Sequence, residues 1–546
     1  MPATIVGSKA ALPAFKEGEG AGVRKLNVTS NENKGQTVNI ATGLVNFSYY
    51  ESILQDVIRA TVSFMDTGDS INGKTVMEGL PIYGSENATI KIEDNNSEVI
   101  EVELLINKPD DVLDDTRKTV TILNFASKEF FDDEKVRVNT RMDGLISQSV
   151  ETILTRPKEK KGTTSSNFLG GPLPTPRGFL NSEKEVFIEK TANKRNFIGN
   201  NWKPFYTINW LAKQAVPVSE ETGNSAGFMF WETADGFHFK SIDALMNQKV
   251  KKKFIYNETA EGPCSGNMPE GYDAKVLEMQ VDNRVDVQKK LKMGAYSTRT
   301  WLFNPYDTSV DILYPNAFNT GVESVKETSK NSKGNQKYLD LAAKQLPLFN
   351  PDLNQNIDFS RSEFRVLDVG TLPGGKGAGE NNAQIKESKQ PNDKPQENLN
   401  QGNMRMNQLF ASKVIITIPG DFSLHAGDAV FFDAPGLRED KKMIDDLDKH
   451  IGGYYIIGSI CHYLDGSHTL TKMDLVRDSY GRKPLTRNNA TSRTGSFQDR
   501  RHWRRSSSAA AKANTNKYGQ NIKTAPNPSY ERMRERRKHR GGGRSR

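Results

Sequence analysis

Glu232, Asp235 and His238 lie within seven residues of one another, in the stretch GFMFWETADGFHFKSID at 227–243. Two carboxylates and an imidazole this close are the equipment of general acid–base catalysis, in which positioned side chains take up and return protons. The same letters also spell a hairpin. Phe228, Phe230 and Glu232 alternate with Met229 and Trp231, and Phe237 and Phe239 flank His238. Asp235-Gly236 is a turn signal, because the favoured two-residue turns need a backbone with positive φ. Scaffold and active site compete for the same residues.

Other clusters fall short of a chemistry. GTLPGGK, Gly370 to Lys376, has the spacing of a phosphate-binding loop. The next residue is Gly377, where a Ser or Thr should hold magnesium, and no helix pattern follows to direct its dipole at phosphate. CHYLDGSH at 461–468 places Cys461, His462 and His468 together. Metal ligation needs at least three convergent groups, and neighbours on a strand point to opposite faces. The acidic run REDKKMIDDLDKH at 438–450 lacks the Gly and terminal Glu of a calcium loop; a solvated helix is expected. Nucleophile elbow, paired zinc-protease histidines and kinase signature are all missing. The expectation is no catalytic residue, no cofactor and no metal.

The elements around these residues are mostly strands. VNIATGLVNFSYYESI, ATVSFMDTG, NATIKIED, EVIEVELLIN and KTVTILNFAS read as short strands between polar turns, which predicts an antiparallel sandwich or barrel. A helix is expected near DGLISQSVETIL, with Leu145, Ile146, Val150 and Ile153 on one face. NNWKPFYTINWLAKQAVP reads as another helix, with Asn201 as its cap, Pro204 in its first turn, and Ile208, Leu211, Ala212 and Ala215 on one side. Ser241 caps a short helix after the hairpin. β patterning returns in AKVLEMQVDN and GAYSTRTWLFNPYDTSVDILY, and is clearest from 409 to 480. NQKYLDLAAKQL is a candidate helix, FRVLDV a candidate strand, and the polar stretch at 374–403 a loop.

At 546 residues the chain exceeds one ordinary domain. Apolar residues make up 35% and mean hydropathy is −0.65, which fits either a chain with long polar loops and tails or one whose surface largely faces other subunits and solvent. Cys264 and Cys461 form no disulfide framework and no zinc cluster, and a reducing compartment is expected. The first twenty residues have no basic start followed by an apolar run, and no signal peptide or membrane insertion is expected. Residues 481–546 carry 19 Lys and Arg against 3 Asp and Glu, while the rest hold 56 against 64. The net charge of +8 thus hides an acidic body and a basic tail. The tail suits an acidic protein surface better than nucleic acid.

Two long blocks resemble a known family. NFIGNNWKPFYTINWLAKQAVP with GFMFWETADGFHFKSIDAL resembles the central block of baseplate hub proteins from contractile-tailed phages of the T-even type. SKVIITIPGDFSLHAGDAVFFDAP with GGYYIIGSICHYLDGSHTLTKMDLVRDS resembles their closing block. Their order and separation fit, and the resemblance covers about 37 to 480. It implies a mainly β fold with α+β insertions, two tail-tube-like antiparallel β-barrel domains, smaller inserted domains and flexible termini. Its divisions would be an N-terminal arm at 1–36, a first barrel at 37–155, a linker at 156–182, an inserted helix–hairpin domain at 183–270, a second barrel from 271–325 and 406–480, an insertion with a long loop at 326–405, and the tail at 481–546.

The resemblance also implies a non-enzymatic homotrimer in the virion tail baseplate, assembled in the host cytoplasm. Three chains would present six barrel domains around the DNA channel, joining the hexameric tail tube to a trimeric central spike. Its partners would be tail tube protein, spike protein and, through the tail, baseplate wedge or other hub proteins, with DNA only in passage. The chain is longer than such hubs and adds the basic tail. Two other functions remain open, a tail-associated peptidoglycan hydrolase and a nucleic-acid-binding virion protein.

Overall fold

The chain is mainly β, with short helices set among the strands. It is seen in a computed structural model that describes residues 22–478 except 33–35, 69–70, 72, 116–117, 156–178, 219–225, 257–270, 284–285, 295–297, 304, 306–307, 314–360, 367–394, 411, 435–450 and 466–467. Outside the described residues lie Gly370 to Lys376, the acidic run 438–450, the candidate helix NQKYLDLAAKQL, Cys264, the basic tail, and most of the expected arm and linker.

One 14-stranded sheet organises the molecule. Its main path runs Ala274–Val276, Lys252–Tyr256, Ala429–Asp433, Gly453–Asp465, Leu44–Ser52, Arg59–Asp66, Lys118–Ser127, Val99–Asp115, Asn87–Glu93, Gly22–Thr29, Thr37–Asn39. His468–Arg477, Ser412–Pro419 and Glu278–Asn283 branch from Gly453–Asp465. Strands from the two ends of the chain meet where Asn46 to Ser52 pair antiparallel with Asp465 to Ser459. The strand Gly453–Asp465 makes this possible by its length. Its first half pairs with Ala429–Asp433 and its second half with Leu44–Ser52, while His468–Arg477 takes its other edge.

Alternation decides what each sheet face buries. In Ser412–Pro419 every second residue is buried, with Val414, Ile416 and Ile418 inward. Phe47, Val62, Ile90, Val102 and Leu123 line the core over the N-terminal strands. A second core gathers Val414, Ile416, Phe432, Ile456 and Leu475 over the C-terminal strands. A third, formed by Ile146–Leu154, Pro204–Ala212 and the hairpin Phe228–Ser241, holds Val150, Ile153, Ile208, Leu211, Phe230 and Phe237.

Three local expectations are corrected. Gly22–Thr29, read as part of an arm, is a strand paired with Asn87–Glu93 and Thr37–Asn39. A register shift between Val23 and Lys25 breaks the alternation that would have revealed it. Asn201 does not cap the following helix. Lys203 is its N-cap without a side-chain bond, Pro204 opens the first turn, and Asn201 has a φ of 59°. Residues 395–403, read as loop, begin the helix Pro395–Leu409. That helix buries Asn398, Asn400, Gln401, Arg405 and Gln408 alongside Met404 and Leu409, so its buried face is too polar to read as an apolar stripe. Gly402 lets it approach closely, since a Cβ there would stand 2.8 Å from the Lys213 carbonyl oxygen.

The capping by Ser241 is present, its hydroxyl accepting from the Ala244 N–H at 3.0 Å. Arg299–Phe303 and Val310–Leu313 form a separate three-stranded sheet with Ser362–Val366. Lys252–Tyr256 joins the large sheet, parallel to both its neighbours.

Candidate functional site: the polar joint at the hairpin tip

Phe228–Thr233 and Gly236–Ser241 pair in full register, Trp231 opposite His238 and Glu232 opposite Phe237. One face carries Phe228, Phe230, Glu232, Phe237 and Phe239, and the other Met229, Trp231 and His238. Both faces are covered. Phe230 and Phe237 stack at 5.6 Å and face Phe205 of the helix Pro204–Ala212. Met229 and Trp231 belong to the core over the C-terminal strands. The residues central to the turn are Ala234 and Asp235, not Asp235 and Gly236. Gly236 starts the return strand at φ 140°, where a Cβ would stand 2.2 Å from the Glu185 carbonyl oxygen. Close approach, as well as turn geometry, requires this glycine.

The three residues that suggested acid–base chemistry are separated by this geometry. Glu232, 1% exposed, points to the helical side. Its Oε2 accepts from the Ile58 N–H at 3.1 Å and the Ser127 hydroxyl at 2.5 Å, and its Oε1 meets Lys184 Nζ. Lys184 also binds Glu129 at 2.7 Å. One cation therefore serves two carboxylates. Burial pushes the Glu232 carboxyl above its usual range despite Lys184. The more open Glu129 is held below that range, where Lys184 outweighs burial. Burial works against the Lys184 charge too, but the two carboxylates overcome it and raise its pKa.

His238 lies on the opposite face, between the rings of Phe187 at 4.8 Å and Trp231 at 5.1 Å. Burial lowers its pKa to about 3, so it is neutral near pH 7, and its Nε2 shares a 2.9 Å hydrogen bond with the Thr233 hydroxyl. Asp235 is at the tip, its side chain 63% exposed.

Glu51 was missed by sequence reasoning. It lies on Leu44–Ser52 and is 1% exposed. Its Oε1 accepts from the Tyr49 hydroxyl at 2.9 Å, the Ala234 N–H at 2.9 Å and His425 Nδ1 at 3.1 Å. Its Oε2 accepts from the Ala426 N–H at 3.0 Å. One carboxylate thus ties the N-terminal strands, the hairpin tip and the loop before Ala429–Asp433. Burial alone would raise its pKa, but the charge on His425 and the hydrogen bonds from His425, Ala426 and Ala234 hold it below the usual carboxylate value.

The same loop is fixed from other sides. The Trp231 indole donates to the Ala426 carbonyl at 3.0 Å, and Gln248 Nε2 donates to the Gly427 carbonyl. Farther along, Arg405 binds Asp243 at 2.8 Å and Asp478 at 3.3 Å, joining the helix Pro395–Leu409 to the helix Ile242–Asn247 and to the end of His468–Arg477. Cys461 and His462 point to opposite faces of their strand. Burial raises the thiol to about 11 and lowers the imidazole to about 4. Among the described residues no three His, Cys, Asp or Glu side chains are grouped to hold a metal ion.

Chemically, this arrangement clamps. A general acid or base must reach a proton on a substrate, whereas Glu51 and Glu232 are buried with both oxygens engaged by the protein itself. A carboxylate surrounded by donors from distant segments fixes those segments relative to one another.

No protein-family model and no curated protein matches the chain. Among solved structures it is similar to phage tail proteins. A 43 kDa tail protein of prophage MuSo2 from Shewanella oneidensis aligns at 10% identity over 83% of this chain and 98% of its own, with a TM-score of 0.41. A tail protein from Neisseria meningitidis aligns at 9% identity over 84% and 97%, with a TM-score of 0.40. The c3393 protein of Escherichia coli, a type VI secretion component with structural similarity to T4 tail proteins, aligns at 9% identity over 84% and 79%, with a TM-score of 0.36.

Proposed function

We propose that the chain is a structural, non-enzymatic baseplate hub subunit of a contractile phage tail. The observation that carries this reading is the antiparallel pairing of Asn46 to Ser52 with Asp465 to Ser459. It sets strands from opposite ends of the chain edge to edge, each group with its own core. A chain holding two tail-tube-like barrels side by side would need only three copies to make a ring of six. That ring would adapt a hexameric tube to a trimeric spike and surround the DNA channel. The first barrel would take in Gly22–Thr29, and the second would include Lys252–Tyr256 along with 271–283 and 412–477. The strands Thr37–Asn39 and Ala274–Val276 end the main path of the sheet, and an edge strand is a ready place for a neighbouring copy to pair or pack.

The polar joint supports the same reading. An adaptor must hold its parts in fixed relation, and the buried polar groups join distant segments, with both oxygens of Glu51 and of Glu232 engaged by the protein itself. The acidic body suits a channel that DNA passes without being held, and the basic tail suits a wedge or other hub partner.

Mass measurement of the purified protein tests the proposal. Three copies of 61.0 kDa are expected, and deleting 481–546 leaves that state intact. A stable monomer at micromolar concentration overturns it. Cleared bands on a peptidoglycan zymogram would favour the hydrolase instead, and loss of salt-sensitive DNA binding with the tail would favour a nucleic-acid-binding protein.

A further inference from the structure

His425 stands between two carboxylates from different parts of the fold. Its Nδ1 is 3.1 Å from Glu51 Oε1, and its Nε2 is 3.8 Å from Asp235 Oδ2. Glu51 belongs to the N-terminal strands, Asp235 is central to the hairpin turn, and His425 sits on the loop entering Ala429–Asp433. The Ala234 N–H, next to Asp235, is held by the same Glu51 oxygen. We propose that His425 is a proton-operated latch: its imidazolium bridges Glu51 and Asp235 and keeps the hairpin tip docked on the 425–428 loop, and loss of the proton loosens the tip.

The chemistry follows from the two ring nitrogens. Imidazolium offers an N–H to each carboxylate, whereas neutral imidazole has one N–H and one lone pair. Once neutral, the ring can still donate to Glu51, but its lone pair then faces the Asp235 carboxylate. The bridge becomes a one-sided contact.

Other charged and titratable groups surround the ring. Tyr49 donates to Glu51. Asp428 accepts from the His425 backbone N–H at 2.9 Å and pairs with Lys251 at 2.8 Å. His238 on the hairpin, and His462 on the strand Gly453–Asp465 with Asp421 near it, also interact electrostatically within this group. Burial and Lys251 oppose a charge on His425, but Glu51 and Asp235 outweigh them and raise its pKa above the ordinary value. A group whose folded pKa is raised contributes its stability below the unfolded value and loses it as pH rises through the folded value. The latch is closed on the acid side of that pKa and loosened on the alkaline side. It lies within one chain and does not depend on whether the chain forms a ring.

Hydrogen exchange of the full chain between pH 5.5 and 9, corrected for intrinsic rates, reads the latch through peptides spanning 233–236 and 424–428. Protection there is expected to fall with rising pH, by about tenfold for each unit by which docking raises the His425 pKa, while the strand Asn87–Glu93 stays constant. His425→Gln should remove the pH dependence. Asp235→Asn, a change at an exposed turn residue, should reduce it even if the His425 variant does not fold. Flat protection in the unmodified chain overturns the proposal, as does a full pH dependence surviving in either variant.

Discussion

Trp231 and Gly427 share a space that only a glycine leaves open. A Cβ on Gly427 would stand 2.7 Å from Trp231 Cζ2, and Gly427 has a φ of 94°. The indole reaches this position to donate to the Ala426 carbonyl, so the loop carrying His425 is shaped around the hairpin ring. Gly427→Ala is expected to destabilise by about 2–4 kcal/mol, combining a left-handed backbone with overpacking. Trp231→Phe should cost about 1–3 kcal/mol, since it leaves a buried carbonyl without its donor. Thermal midpoints rank the two, and an unchanged midpoint for Gly427→Ala would refute the packing argument.

Glu232 is the second anchor of the hairpin. Glu232→Ala strands the Ile58 N–H and the Ser127 hydroxyl in a buried place and leaves Lys184 with Glu129 alone. Breaking a buried charged network from one side costs about 3–5 kcal/mol. Glu232→Gln keeps the shape but turns an amide toward some of the donors, so an intermediate loss is expected. Denaturant midpoints of the two variants check the order.

The acid side of the stability profile depends on Glu51. Its folded pKa is lowered, so its contribution is present above the unfolded carboxylate value and is lost as pH falls through the folded one. Glu232 runs the other way, its pKa being raised, so total stability mixes the two. The difference between the unmodified chain and Glu51→Gln isolates the first. That difference should be largest near pH 6 and shrink toward pH 3. A gap of constant size across this range would mean that the charge on Glu51 does not matter.

Much of the architecture is legible in the sequence because it is written locally. The alternation in Ser412–Pro419, the Pro204 start of a helix and the Ser241 cap each need only a few neighbouring residues. The hairpin is legible for the same reason. The joint is not, because Glu51 meets Ala234 across 183 positions and His425 across 374, and no spacing encodes that. A faint signal exists in hindsight: Glu51 follows Tyr49 and Tyr50, and Glu232 follows Trp231, single carboxylates placed in strands otherwise fit for burial. The helix Pro395–Leu409 stayed hidden because amide and guanidinium groups outnumber Met404 and Leu409 on its buried face. The candidate triad dissolved for a geometric reason, since alternation along two paired strands sends Glu232 and His238 to opposite faces.

Arg405 gives the most demanding test of the clamp, because the helix carrying it docks through buried polar side chains as well as through Met404 and Leu409. The guanidinium is buried, its side chain 4% exposed, and reaches Asp243 and Asp478 with different nitrogens while Gln408 accepts from it at 3.2 Å. Arg405→Met leaves two buried carboxylates without this cation and should cost about 3–5 kcal/mol. Arg405→Lys keeps the charge but cannot present the same fork to two acids, so it should recover only part of the loss. If the penalty comes from the stranded carboxylates, adding Asp243→Asn and Asp478→Asn to Arg405→Met should return a good share of the stability. If it comes from lost packing of the arginine stem, those additions should return nothing. Thermal midpoints of the single and triple variants separate the two. Faster proteolysis confined to 395–409 in Arg405→Met would show that this bridge is what docks the helix.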